Sequence, residues 1–128
     1  MSFDDISLHD IFLRGRRSQG VTAVDPGLSD LGRFSEPALL ILISLAHGPK
    51  HGYAMMEDIA AFAGVRLGPG TLYGALARLE TQQLIEPLAA RDRRRPYRLT
   101  GTGADTLRAQ LESMARVAHA GLQRLAAR

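Results

Sequence analysis

The segment EPALLILISLA, residues 36–46, limits the fold more than any other part of the chain. Its apolar residues lie on all sides of a helix, and Pro37 is well tolerated in a first helical turn. A helix that is apolar all round must be covered by other elements, so this one is predicted to be the centre of the core. With 128 residues the chain can bury one such core but is too short for two well-packed enzymatic lobes.

Two more helices are predicted directly after this segment. The turn HGPKHG ends the first helix, and GYAMMEDIAAFAG follows, with Tyr53 on an apolar face and Gly64 as a C-terminal stop. The third helix begins in GPGTLYGALARLE, residues 68–80, where Pro69 is favourable at the first helical position. It is predicted to run to about Gln83.

The segment LIEPLAARDRRRPYRLT predicts a β-hairpin after the third helix. Its strand-like runs, 84–88 and 96–99, are joined by a highly charged loop. Pro87 and Pro96 indicate exposed or edge strands. Three short helices followed by a two-stranded wing make a winged helix-turn-helix. The predicted fold class is therefore mainly α with a small β-hairpin, followed by a long C-terminal dimerisation helix.

The C-terminal helix is predicted because no helix breaker occurs between Thr100 and Gly121. Apolar residues recur in it at steps of three and four, which makes one continuous apolar seam: Leu107, Leu111, Met114, Ala118, Leu122 and Leu125. Since three helices and a wing already cover the core, we predict that this seam pairs with a second copy of the chain. The alternative is that the helix folds back onto its own domain.

The chain is predicted to have three parts. Residues 1–33 form an N-terminal extension, with a short helix and a flexible linker. Residues 34–100 form the winged-helix DNA-binding domain, and residues 101–128 form the dimerisation helix. The extension contains RGRR at residues 14–17, which is either a basic arm that follows DNA or incidental charge of a linker.

Composition argues against several kinds of site. The chain has no cysteine, so disulfides, thiolate metal sites and cysteine nucleophiles are excluded. His47 and His51 have helical metal spacing, but no further ligand completes a set, so they are predicted to be polar turn residues. Glu57 and Asp58 are predicted to be a solvated acidic pair. Without a phosphate loop or a nucleophile–base pair, the sequence predicts no catalytic residue, no metal, no cofactor and no enzymatic activity.

The charge of the chain is basic and depends on arginine. Sixteen Lys and Arg residues oppose thirteen Asp and Glu residues, for a net charge of +3. Arginine suits phosphate oxygens and base edges. No apolar run approaches the about 20 residues that cross a bilayer, and the first residues are acidic where a secretory signal would be basic. The sequence therefore predicts a cytoplasmic protein without a membrane partner.

The third helix has two contrasting faces. One face carries Leu72, Ala75, Leu76 and Leu79 and is predicted to point inward. The opposite face is unusually bare and consists of Gly70, Gly74, Ala77 and Thr81, flanked by Thr71, Tyr73 and Arg78. In a helix-turn-helix, small outward residues let the second helix of the pair approach the walls of the major groove. The alternative is a helix that docks against another protein element, with Tyr73 packed in the contact.

The hairpin loop brings five arginines together against one acid, Asp92. They are Arg91, Arg93, Arg94, Arg95 and Arg98. A wing that follows a recognition helix reaches a neighbouring minor groove or the DNA backbone, and arginine suits both. We predict that these five arginines contact double-stranded DNA together with Gly70, Thr71, Tyr73, Gly74 and Arg78. Tyr97 is either a core-facing strand residue or a backbone contact.

These segments resemble the PadR-like winged-helix transcriptional regulators over roughly residues 34–125. The resemblance is carried by LGRFSEPALLILISLAHGPKHGYAMMEDIA, by GPGTLYGALARLETQQLIEPLAARDRRRPYRLTGTG and by the terminal seam. Its most specific parts are Gly52-Tyr53, GTLYGALARLE and YRLTGTG. The resemblance implies a homodimeric repressor whose third helix reads DNA and whose wing grips the backbone. It also implies that Tyr73 and the basic wing contact DNA and that the C-terminal helix pairs with its twin.

The chain departs from this family at two points. Gln83 stands where members usually have Gly, so the turn is expected to be one helical residue longer. Some small members bind flat aromatic drugs through a Trp, which this chain lacks, so no ligand site is inferred and an effector stays unidentified. The predicted function is sequence-specific, dimeric DNA binding at a palindromic operator. The alternative is a winged-helix module that binds proteins and not DNA.

Overall fold

The structure is a computed structural model, and it describes residues 36–128. The elements of this part are, in order, α1 (Pro37–Ala46), β1 (Lys50–His51), α2 (Gly52–Ala63), α3 (Pro69–Thr81), β2 (Ile85–Pro87), β3 (Pro96–Leu99) and α4 (Gly101–Ala126). They confirm the predicted class, a mainly helical winged-helix fold with a long C-terminal helix. The predicted N-terminal helix and linker, and the basic residues 14–17, lie outside the described residues.

Helix α1 is the centre of the core, as predicted. Ile41 is fully buried, and α2, α3, α4 and β3 all contact this helix. Helix α2 turns Met55 and Ile59 toward it, and both are fully buried. Tyr53, predicted on the apolar face of α2, is instead 60% exposed. Met55 and Ile59, which lie one helical turn apart, have wholly apolar side chains, whereas the tyrosine side chain carries a polar hydroxyl that favours the surface.

The sheet has three strands in the order β1-β3-β2, and both pairings are antiparallel. Strand β1 was not predicted, and it pairs Lys50 with Tyr97. Strand β3 is therefore central, so of the two predicted alternatives, an exposed or an edge strand, the edge strand is wrong for Pro96. Proline is tolerated there because it is the first residue of its strand. Pro87 does lie on an edge strand, β2.

Helix α3 ends at Thr81, earlier than predicted. Gln83 has a left-handed φ of 62°, and its N–H donates to the Glu80 carbonyl at 2.9 Å. The Leu84 N–H donates to the Leu79 carbonyl at 3.0 Å, which completes a Schellman motif. The expected extra helical residue is therefore wrong. The turn has the geometry that glycine favours, and holding Gln83 in it costs roughly 1 kcal/mol.

The motif TGTG at the start of α4 holds this helix against the turn between α3 and β2. The Thr100 hydroxyl accepts from the Gly103 N–H at 2.9 Å as an N-cap and donates to the Gln83 carbonyl at 2.7 Å. The Thr100 N–H donates to the Leu84 carbonyl at 3.1 Å. Gly103 is buried, and a Cβ there would overlap the Leu84 carbonyl group. Only glycine permits this close approach of α4 to the wing.

Helix α4 is the longest element, with 26 residues. At 1.5 Å per residue it is about 39 Å long. Its first half contacts α1 and β3. Among residues 36–128, no helix combines the length and the apolar character that a membrane span requires.

Candidate nucleic-acid interface

Helix α3 presents the two faces that the sequence predicts. Leu72, Ala75, Leu76 and Leu79 are all at most 2% exposed. The opposite face is open to solvent, where Gly70, Thr71, Tyr73, Ala77 and Arg78 are exposed and Gly74 is half-buried. The bare face is therefore an outer surface of the described fold.

The two glycines of this face have no packing role within residues 36–128. A Cβ on Gly70 would meet nothing within 4 Å, and one on Gly74 would meet only Nη1 of Arg78, at 3.8 Å. Neither glycine has a positive φ. Glycine in a helix interior costs roughly 0.5–1 kcal/mol relative to alanine. The two glycines therefore make α3 less stable, but they leave a smooth surface on which another molecule can approach the α3 backbone closely.

Tyr73 and Arg78 flank the smooth surface. Tyr73 is 50% exposed, and its phenol lies against Gly52 at the start of α2. The guanidinium of Arg78 extends back toward Gly74, one turn earlier in the helix. Thr71 is exposed in the first turn of α3. The first turn of a helix also carries free backbone N–H groups, so Thr71 lies where hydrogen-bond donors are concentrated, whereas Arg78 lies in the last turn.

The tip of the wing is a tight two-residue turn. The backbones of Arg91 and Arg94 exchange hydrogen bonds of 2.7 and 2.8 Å. The residues between them, Asp92 and Arg93, have φ of 50° and 67°, as in a type I′ turn. Asp92 tolerates this conformation, but at the position of Arg93 glycine is strongly preferred. The wing therefore carries arginine at its tip at a conformational cost of roughly 1 kcal/mol.

The five wing arginines are all exposed, but their side chains differ in their contacts. Nε of Arg98 lies 2.8 Å from Oε2 of Glu86, in an ion pair between β3 and β2. Nη1 of Arg95 donates to the Leu88 carbonyl at 3.2 Å. Nη1 of Arg94 lies 3.4 Å from Nε2 of His51. Within residues 36–128, the guanidinium groups of Arg91 and Arg93 have no hydrogen bond or ion pair. Surface contacts of this kind are weak, so all five groups can be redirected to phosphates.

The sequence left two alternatives for Tyr97, a core-facing strand residue or a contact with the DNA backbone. In the structure it is a core-facing residue of β3. Its ring is half-buried and packs against the hydrophobic core. Burial raises the pKa of Tyr97 above the usual value of 10.0, and the charge of Glu80 raises it further, while Arg95 opposes both. The phenol is therefore neutral at physiological pH and adds no charge to the surface.

The two histidines of the first turn act as helix caps, in keeping with the predicted turn roles. His47 is the C-cap of α1, and Nδ1 of His51 accepts from the Ala54 N–H at 3.3 Å at the start of α2. Residues 36–128 contain no group of three or more His, Cys, Asp or Glu side chains that could hold a metal ion.

Asp58 is not the solvated residue that the sequence suggests. Its Oδ2 accepts from the hydroxyl of buried Ser44 at 2.7 Å and lies 3.9 Å from Nζ of Lys50. This network connects α1, β1 and α2, so it fixes the turn that precedes α2. Glu57 is exposed, as predicted, and pairs with Arg66 at 3.4 Å.

The predicted dimer seam is divided between two environments. Leu107 is 5% exposed and belongs to the core of its own domain, and Leu111 and Met114 are half-buried against that core. Leu107 therefore has almost no surface left for a partner. Farther along, Leu125 is 61% exposed, and Val117, which was not part of the predicted seam, is 71% exposed. Ala118 and Leu122 are half-buried.

Comparisons with known proteins agree with this geometry. The model of the transcriptional regulator PadR-like family matches residues 41–109. The chain is also similar to an uncharacterized 37.1 kDa protein of a transposon from Streptomyces fradiae, with 49% identity over 85 residues. That match covers 66% of this chain but only 25% of the relative, so the chain spans about a quarter of its length.

Two solved structures have the same fold. A PadR family transcription regulator from Clostridium difficile matches with a TM-score of 0.64 and 25% identity, over 71% of this chain and 99% of the other. A transcriptional regulator from Clostridium thermocellum matches with a TM-score of 0.60 and 26% identity, over 67% of this chain and 89% of the other. The matched family is one of transcription regulators and not of enzymes. With more than half of its residues in the family match, the chain belongs to the PadR-like family of DNA-binding transcriptional regulators.

Proposed function

We propose that the chain is a homodimeric repressor that binds a palindromic operator through α3 and the wing. The observation that carries this proposal is the outer face of α3, where Gly70 and Gly74 have no packing role among the described residues. Small residues on the side that meets the groove wall let a helix lie deep in a major groove.

The contacts proposed for α3 follow from its exposed side chains. Thr71 and Tyr73 donate to phosphate oxygens from the start of the helix, and Arg78 reaches a phosphate or the edge of a guanine. Gly70 and Gly74 contribute shape and no hydrogen-bonding group of their own side chains. In this proposal α3 supplies sequence recognition and only part of the affinity.

The wing supplies most of the electrostatic affinity. Arg93 supports this role, because the chain keeps an arginine where the type I′ turn favours glycine. Arg91, Arg94 and Arg95 surround it on the exposed loop, and Arg98 can leave Glu86 for a phosphate. A module that binds only proteins would not need an arginine in that strained position.

The dimer is proposed to form through the second half of α4. Helix α4 continues beyond Ala115, the last of its buried residues, and exposes Val117 and Leu125. Pairing with a second α4 would cover this surface, with Leu111, Met114, Ala118, Leu122 and Leu125 in the seam. A two-fold dimer would place two α3 helices in successive major grooves, about 34 Å apart, and this spacing requires a palindromic site. The proposal that the protein represses transcription follows from the family resemblance.

Replacing Gly74 with arginine is expected to weaken specific DNA binding at least tenfold, although it adds a positive charge. The long side chain would stand on the smooth face and hold the α3 backbone away from the groove, while the open space around Gly74 leaves the fold intact. The measurement is a binding titration on duplexes selected from a random pool, in which a two-fold symmetric consensus is expected.

Ala109→Arg is the matched control, since it adds the same charge at an exposed position of α4. Unchanged affinity in Gly74→Arg would show that the smooth face does not enter a groove. Failure of the wild-type protein to give any salt-sensitive shift of duplex DNA would favour the protein-interaction alternative.

The double substitution Leu122→Glu and Leu125→Glu is expected to convert the dimer to a monomer and to weaken operator binding more than tenfold. Two carboxylates in each chain would face their copies across an apolar seam, where buried charge is strongly unfavourable. Sedimentation at micromolar concentration measures the assembly state, and circular dichroism checks that the helices persist.

The control for this prediction is Ala109→Glu with Gln123→Glu, which adds the same charge at exposed positions away from the seam. A Leu122→Glu, Leu125→Glu protein that still sediments as a dimer would place the interface on another surface. The affinity for a half-site should be similar in the monomer and the wild type, because α3 and the wing are unaltered.

A further inference from the structure

We propose that Gly52 is a positioning residue for DNA binding, because it makes the space in which the Tyr73 phenol is held. A Cβ on Gly52 would lie 2.8 Å from Cζ of Tyr73 and would also overlap its hydroxyl oxygen. The phenol therefore rests directly on the backbone at the first residue of α2. This inference rests on the proposed contact of Tyr73 with DNA.

The conformation of Gly52 gives no other reason for glycine at this position. Gly52 is the first residue of α2, and its φ is not positive. Glycine has the poorest helix propensity of the non-proline residues, so α2 alone gives no preference for glycine here. The three atoms nearest to the missing Cβ are all on α3, and they belong to the Tyr73 phenol and to a methyl group of Leu72.

The position of the ring matters because the start of α2, on which it rests, also contacts the wing. His51, adjacent to Gly52, caps α2 and lies 3.4 Å from Nη1 of Arg94 in the wing. The start of α2 thus contacts two residues that are proposed to bind DNA, Tyr73 of α3 and Arg94 of the wing. A ring that is already held in place loses less rotamer freedom on binding than a free one, and this preorganisation increases affinity.

The proposal predicts a specific pattern in a double-mutant cycle of Gly52→Ala and Tyr73→Ala. Gly52→Ala is expected to weaken operator binding more than tenfold, the effect of one lost hydrogen bond to a charged group. In the Tyr73→Ala background it is expected to have no effect, since there is no ring to displace. The fold should persist in both, because the clash involves the mobile end of a tyrosine side chain.

A second readout does not depend on DNA. The ring resonances of Tyr73, assigned with Tyr73→Phe, should shift in Gly52→Ala because the ring leaves its site on α2. Gly101→Ala is the matched control, since Gly101 is also the first residue of its helix and a Cβ there would meet nothing within 4 Å. It should leave the Tyr73 resonances and the affinity unchanged.

The outcomes separate this inference from the proposed function. Full affinity in Gly52→Ala, an equal loss in the Tyr73→Ala background, or unshifted ring resonances would each overturn the positioning role. Full affinity in Tyr73→Ala would overturn the proposed DNA contact itself and with it this role of Gly52.

Discussion

Replacing Gly103 with alanine is expected to lower the free energy of unfolding by about 1–3 kcal/mol, a typical result of forcing an atom into a filled site. The added methyl group would overlap the backbone carbonyl of Leu84, which cannot rotate away as a side chain can. To make room, α4 would have to move from β2, and that movement would strain the hydrogen bonds of Thr100 to Gln83 and Leu84. Urea denaturation at fixed protein concentration measures the change.

Two other glycines of α4 serve as controls. Gly101 and Gly121 lie in the same helix, and a Cβ on either would meet nothing within 4 Å. Alanine at Gly121 should stabilise the helix by about 0.5–1 kcal/mol, and alanine at Gly101 should have little effect. If Gly103→Ala unfolds at the same urea concentration as these variants, α4 is not in close contact with the backbone of Leu84.

Helix positions and faces were the part of the fold that the sequence predicted well. The run around Ile41 is apolar all round and therefore had to be central, and the leucines of α3 define an inward face by their spacing. These signals are local, because a helix makes its hydrogen bonds within one segment and its periodicity identifies the buried side. Tyr53 was misplaced because a tyrosine ring fits either environment.

The sheet and the close contacts could not be predicted in this way. Strand β1 has two residues, Lys50 and His51, which show no alternation, and it exists only because β3 passes beside it. The same distant pairing makes β3 central, so Pro96 marks the first residue of a strand and not an edge strand. Strand order depends on contacts between residues far apart in sequence, and periodicity carries no information about them.

Contacts at the candidate site show the same limit. The pattern identified the bare face of α3 and the basic loop, but not that Arg98 pairs with Glu86 or that Tyr73 rests on Gly52. The contact of Tyr73 with Gly52 could have been suspected from the sequence, because the motif Gly52-Tyr53 places glycine at a helix start where other residues are tolerated. The role of that glycine became visible only when α3 was placed against it.

Replacing Arg93, Arg94 and Arg95 together with alanine is expected to weaken binding to all DNA sequences and to flatten its dependence on salt. Each phosphate contact that is lost removes about 0.9 from the slope of log affinity against log salt, so three contacts would remove up to about 2.7. Because the loss is electrostatic, operator and unrelated duplexes should weaken by similar factors. Titrations at several salt concentrations, on both kinds of duplex, measure the slopes.

Two further variants separate charge from conformation in this prediction. Arg108, Arg116 and Arg124 on α4 are exposed, and replacing them with alanine removes the same charge away from the wing, so the slope should change little. Arg93→Gly relieves the left-handed strain at the tip, so it should make the turn more stable and still reduce the slope by about 0.9. An alanine triple variant that titrates with salt as the wild type does would remove the wing from the interface. A slope that stays unchanged in Arg93→Gly alone would mean that the tip arginine does not contact a phosphate, and the strained residue would then need another explanation.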